Sequence, residues 1–85
     1  MKRDIKSIIL LLATQGMINL GEIKDPVSNE NILNLDGAAV FVELLEELEV
    51  KTRGNLTDEE DAFLIDILTD LKKVYDKKLS EQLKG

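Results

Sequence analysis

Eighty-five residues with a formal net charge of −6 and a pI near 4.5 leave room for one acidic domain and no more. The chain has neither cysteine nor histidine, which excludes disulfides, thiolate or imidazole metal sites, and the commonest nucleophile–base pairs of catalysis. Acidic residues outnumber basic ones, and most of the basic ones lie toward the chain ends. The electrostatic footprint of a nucleic-acid binder is therefore missing. A domain this small buries only about 60–65% of the surface its unfolded chain exposes. With disulfides and metals gone, self-association is the remaining aid to stability.

The first element is the most apolar. Ile5 to Leu20 reads IKSIILLLATQGMINL, and the spacing predicts a helix over about 3–20. On it Ile5, Ile9, Leu12, Ala13, Gly16 and Leu20 share one face, while Ile8, Leu11 and Ile18 form a second stripe. A helix apolar on nearly every side calls for burial on nearly every side. Its basic opening and apolar run bear comparison with a signal peptide. The uninterrupted run from Ile8 to Ala13 is short, however, and Asp4 interrupts the basic region. No clean small-residue cleavage site follows, and removal would delete the main core element. The expectation is a cytoplasmic chain. No stretch approaches the roughly 20 apolar residues of a membrane span.

Gly21 stands where a left-handed residue ends the helix, and Pro26 blocks an early restart. The connection over about 21–35, GEIKDPVSNENILNL, carries turn formers at Asp25-Pro26 and again at Ser28 to Asn31. Ile32, Leu33 and Leu35 are expected to anchor it on the core as a short extended segment. Such a length exceeds the usual helix connection, which fits either a functional loop or a crossover.

A second helix is predicted over about 36–52, with Asp36 as N-cap. Ala38, Phe41, Val42, Leu44, Leu45 and Leu48 make its broad apolar arc, and Glu43, Glu46 and Glu47 the opposite face. Lys51 and Arg53 complement the negative end, and Gly54 follows it. The third helix, over about 57–81, opens with the capping box Thr57-Asp58-Glu59-Glu60. Phe63, Leu64, Ile67, Leu68, Leu71, Val74 and Tyr75 recur at three and four residues, the seam of a bundle core or a coiled coil. Acids load its first turn, and Lys72, Lys73, Lys77 and Lys78 its far end.

Other chemistry is thin. Asp66 and Asp70 share a helix face, with Glu59, Glu60 and Asp61 upstream. A carboxylate bundle site normally adds histidine, so a solvated face is the simpler account. Asp58 to Asp61 lacks the alternation and central glycine of a calcium loop. Asn55-Leu56-Thr57 matches a glycosylation acceptor, but loop and N-cap already account for all three residues. Gly16, inside the first helix, either lets another helix approach closely, in the same chain or a second one, or is merely tolerated. No catalytic residue, cofactor or metal is expected.

The stretch Lys51-Thr52-x-Gly54-Asn55-Leu56-Thr57-x-Glu59-Glu60, followed by the heptad ending in Leu71 and Tyr75, resembles the small bacterial domain-of-unknown-function family 1844. The leucine-rich first helix, Leu20-Gly21, Asp25-Pro26 and Leu44-Leu45 are similar too, so the likeness runs from about Ile8 to Tyr75. The chain departs from the family pattern at Lys72-Lys73, where arginine is commoner, and in an asparagine-rich loop from Val27 to Leu35. The resemblance implies a cytoplasmic, all-helical bacterial protein of unassigned function and brings no catalytic residues.

The expectation is an all-α, three-helix domain over 1–85, helices 2 and 3 forming an antiparallel hairpin packed on helix 1. Three short helices can hide one stripe each, and helix 1 has two. The surplus predicts a non-enzymatic homodimer. Its interface would combine Ile8, Leu11, Leu12, Gly16 and Ile18 of helix 1 with Leu64, Leu68, Leu71 and Tyr75 of helix 3. The alternative is an adaptor whose apolar groove takes an amphipathic helix or peptide of a partner protein.

Overall fold

The structure, a computed structural model, describes residues 4–84. Three helices follow one another: α1 (Ile5–Asn19), α2 (Leu35–Thr52) and α3 (Asp58–Lys84). Asp4 is extended, and its carboxylate accepts from the Lys6 amide at 3.0 Å, which opens α1 at Ile5. The expected start at residue 3 falls outside the described residues. At the other end Gly21 takes φ 78°. Its amide donates to the Ile18 carbonyl at 3.1 Å, and the Glu22 amide donates to Met17 at 3.0 Å. That reciprocal pair satisfies two carbonyls the helix would otherwise leave open.

The long connection is a compact structure of its own. The Asp25 carboxylate accepts from the Val27 amide at 2.8 Å, and the Asp25 carbonyl accepts from Asn29 at 2.7 Å. The chain then doubles back, so that Leu33 forms an isolated antiparallel bridge with Leu20. The Asn31 side chain donates to the Gly21 carbonyl at 2.8 Å, closing the loop on the end of α1. Of the three apolar residues expected to anchor it, Leu35 packs on the core, but Ile32 and Leu33 are 39% and 43% exposed. Backbone pairing holds this segment where side-chain burial was expected to.

The N-cap of α2 is Asn34, not Asp36. The Asn34 amide donates to the Asn19 carbonyl at 2.6 Å, and its side chain accepts from the Gly37 amide at 2.9 Å. The bridge to α1 fixes Asn34 as the last extended residue, so Leu35 enters the helix, and Asp36 stands in the first turn near the positive end of the macrodipole. Gly54, at φ 84°, follows the end of α2. The capping box of α3 forms in both directions. The Glu60 amide donates to Thr57 Oγ1 at 3.1 Å, and the Thr57 amide donates to Glu60 Oε1 at 2.9 Å. At 27 residues α3 is about 40 Å long and accounts for the 42 Å long dimension of the molecule.

The order of contacts gives the directions. Gly16 faces Phe41 and Asn19 faces Gly37, so α1 and α2 run oppositely. Lys6 meets Glu59, Gly16 meets Leu71 and Glu22 meets Lys78, so α1 and α3 run the same way. Ile9, Ala13 and Leu20, with Ala38, Val42 and Leu45 of α2 and Leu64 and Leu71 of α3, close the core between the three helices. Ile9, Leu20, Leu45, Leu64 and Leu71 are the large side chains removed completely from water, each worth about 2 kcal/mol of transfer free energy.

Candidate interaction surface

The two stripes of α1 have different fates. Ile9, Ala13 and Gly16 are buried, with Leu20 just beyond them, and Ile5 and Leu12 pack at the margin of the core. Ile8 and Leu11, from the second stripe, lie on the surface, 49% and 62% exposed. An open groove of about 530 Å³ runs along this side of the first two turns, lined by Asp4, Ile5, Ser7, Ile8 and Leu11. From Ser7 to Gly21 the chain carries no charge at all. In a protein whose other helices are dense in carboxylates, that leaves one apolar face on the outside.

The expected interface does not come together as one surface. Leu64 and Leu71 are fully buried, and Leu68 and Tyr75 are half-buried against the same core. Leu64 and Leu71 of the α3 seam are thus closed within their own chain, while Leu68 and Tyr75 are covered in part. Gly16 is also interior. The close approach it permits is made by Leu71, whose methyl groups lie 3.0 and 3.1 Å from an ideal Cβ at Gly16, and by Phe41 Cβ at 3.4 Å. Leu12 is half-buried on the core, and Ile18 is half-buried away from it. Only Ile8 and Leu11 of the nine residues are open to solvent.

In place of α3, α2 adds to the surface. The Gly16–Phe41 and Asn19–Gly37 pairs set an antiparallel register in which Leu12 is level with Leu44 and Leu45, and Ile8 with Leu48. Leu45 is buried and Leu48 half-buried, whereas Leu44 and Val40, one turn apart, are 44% and 50% exposed. Glu46, on the other side of α2, reaches Lys72 of α3 at 2.9 Å. Leu44 and Val40 therefore border the α1–α2 seam on the side away from α3. Sequence reasoning placed Leu44 in an inward arc and passed over Val40. The readable signal was their spacing of four with Leu48, which adds a second stripe to a helix already supplied with one.

Ion pairs lie on the other edges. Lys6 joins α1 to Glu59 at the start of α3, its ammonium 5.6 Å from the centre of the Phe63 ring. The hydrogen bond to Glu59 raises the Lys6 pKa above its ordinary value, and the same bond lowers that of Glu59. Lys78 reaches Glu22 at 3.2 Å and ties the distal part of α3 to the loop. Asp66 and Asp70 are exposed, and among the described residues no group of acidic side chains is placed to hold a metal ion. No helix among them is long and apolar enough to cross a membrane.

Comparison with curated proteins and with solved structures gave no match. A family model described as "Domain of unknown function (DUF1844)" matches residues 2–77, which takes in α1, the loop, α2 and most of α3. On that match, covering most of its length, the chain belongs to the DUF1844 family.

Proposed function

We propose that this protein is a non-enzymatic, self-associating helical module whose second copy covers the open face of α1. The observation that carries the reading is the exposure of Ile8 and Leu11, 49% and 62%, on a helix free of charge from Ser7 to Gly21. Contiguous apolar surface on a small domain marks an interaction site, and a closed two-fold dimer is the simplest way to cover one patch with its own copy. A cytoplasmic location belongs to the same reading and suits a chain without cysteine. Sedimentation equilibrium over a concentration series tests it. A monomer–dimer equilibrium that Leu11→Lys shifts to monomer supports it, and a strict monomer at high micromolar concentration removes it.

A second reading has its own observation. The groove beside Ile5, Ile8 and Leu11 is open enough to accept apolar side chains from an amphipathic helix of a different protein. In that case the chain is monomeric alone, and Leu11→Lys abolishes capture of the partner while leaving the fold intact.

A further inference from the structure

We infer that the connection between α1 and α2 is an ionic latch. The segment from Ile23 to Asn34 opens as a unit while the three-helix core stays closed, and the Glu22–Lys78 ion pair holds it shut. The inference is independent of what covers α1, because the groove along that helix is lined by other residues.

Side chains do not anchor the segment. No residue between Leu20 and Leu35 belongs to the core or packs against it, and Ile23, Val27, Ile32 and Leu33 are all exposed. Hydrogen bonds within the segment make it a folded unit. The Asp25 amide donates to the Glu30 carbonyl at 2.9 Å, and the Asn29 amide to the Asp25 carbonyl at 2.7 Å. Its last residues meet the end of α1 through backbone alone, in the Leu20–Leu33 bridge and the bond from the Asn34 amide to the Asn19 carbonyl. A segment with few buried apolar contacts and solvent-exposed backbone bonds opens at a lower free energy than the core it spans.

The far end of α3 supplies the remaining hold. Gly16 meets Leu71 with the two helices running the same way, so the later turns of α3 pass beyond α1 and beside the connection. There Lys78 Nζ lies 3.2 Å from Glu22 Oε1, the one ion pair between the connection and α3 among the described residues. One turn on, Gln82 shares an open cleft of about 250 Å³ with Leu33, Asn34, Leu35 and Asp36, so tight packing does not replace the ion pair. Both charged side chains reach solvent, and salt therefore screens the attraction that keeps the segment down. Rising ionic strength opens the latch.

Native-state hydrogen exchange on the full chain tests it. The Asn29 and Asn34 amides report the segment, and the Leu45 and Leu64 amides report the core. Urea below the unfolding transition should speed exchange at positions 45 and 64 and leave 29 and 34 nearly unchanged, because a local opening exposes little surface. An exposed ion pair shifts an opening equilibrium by about two- to fivefold. Lys78→Met in low salt is expected to speed positions 29 and 34 by that factor, and Lys78→Arg to restore the wild-type rates. Added salt should speed the same two amides in the wild type but not in Lys78→Met, after correction for its effect on an unstructured peptide. Glu59→Gln breaks an ion pair that stays intact when the latch opens, so it should speed the core amides and spare the segment. Segment amides that ignore Lys78→Met, or that keep their salt response in it, overturn the latch. Segment amides that follow the core in urea also overturn it, because the connection then opens only with the whole fold.

Discussion

Two methyl groups of Leu71 lie 3.0 and 3.1 Å from the point where a side chain on Gly16 would begin. The contact joins the last turn of α1 to the middle of α3 with almost no space between them, and Phe41 of α2 closes it from the third side at 3.4 Å. Gly16 is therefore the point where all three helices converge. An alanine there would gain about 1 kcal/mol in helix propensity, but it must displace a leucine that is wholly buried. Overpacking of that kind costs about 1–3 kcal/mol. The expected outcome for Gly16→Ala is a net loss of about 1 kcal/mol, read as a Tm about 4–8 °C lower for a domain of this size. A raised Tm would show that Leu71 moves aside freely.

The N-cap of α2 gives a second test, because sequence and structure name different residues. Asn34→Ala removes the acceptor for the Gly37 amide and should cost about 1 kcal/mol. Asp36→Ala removes only a charge near the macrodipole and should cost a few tenths of a kcal/mol. Thr57→Ala, at the cap of α3, should resemble Asn34→Ala. Urea denaturation of the three variants measures the order, and an Asp36 effect as large as that of Asn34 would return the cap to Asp36.

Opposite sides of α1 should respond to mutation in opposite ways. Ile9→Ala empties a fully buried position and should cost about 2–4 kcal/mol of folding stability. Leu11→Ala, two residues on but outward, should stay within about 0.5 kcal/mol when measured at concentrations where the chain is monomeric. Leu12→Asp puts a charge against the core margin and should unfold the domain, visible as loss of helical circular dichroism. Equal costs at positions 9 and 11 in dilute solution would mean that both faces are interior.

The Lys6–Glu59 pair gives a small pH dependence whose sign is fixed by the two shifts. Glu59 has a lowered pKa, so its contribution is present above the ordinary carboxylate value and fades as pH falls through the lowered one. Lys6 has a raised pKa, so its contribution is complete below 10.5 and is lost as pH rises through the raised value. Glu59→Gln should therefore lower the urea midpoint slightly at neutral pH and low salt. The difference from wild type should disappear in strong acid, above the lysine range, and in high salt. A difference that persists in acid would assign the effect to something other than this ion pair.

The helices themselves were legible because their signals are local. Gly21 and Gly54 end α1 and α2 with positive φ, and Thr57 with Glu60 opens α3 by hydrogen bonds that span three residues. Such groups need only their neighbours in the chain to determine what they do. The Asn34 cap escaped notice because it depends on a hydrogen bond to Asn19, fifteen positions back, which no local pattern encodes.

By itself, then, the sequence determined an acidic all-helical domain, where its helices stop, and that α1 carries more apolar surface than one face can bury. Tertiary structure alone decided which stripe of α1 goes inside, that Leu64 and Leu71 of the α3 seam are closed within the chain, and that Leu44 of α2 stands level with Leu12 of α1. Periodicity says which residues share a face of a helix. The neighbour that covers that face depends on how the helices are docked, and here the docking is fixed by the contact of Gly16 with Leu71 and by the backbone bridge from Asn19 to Asn34.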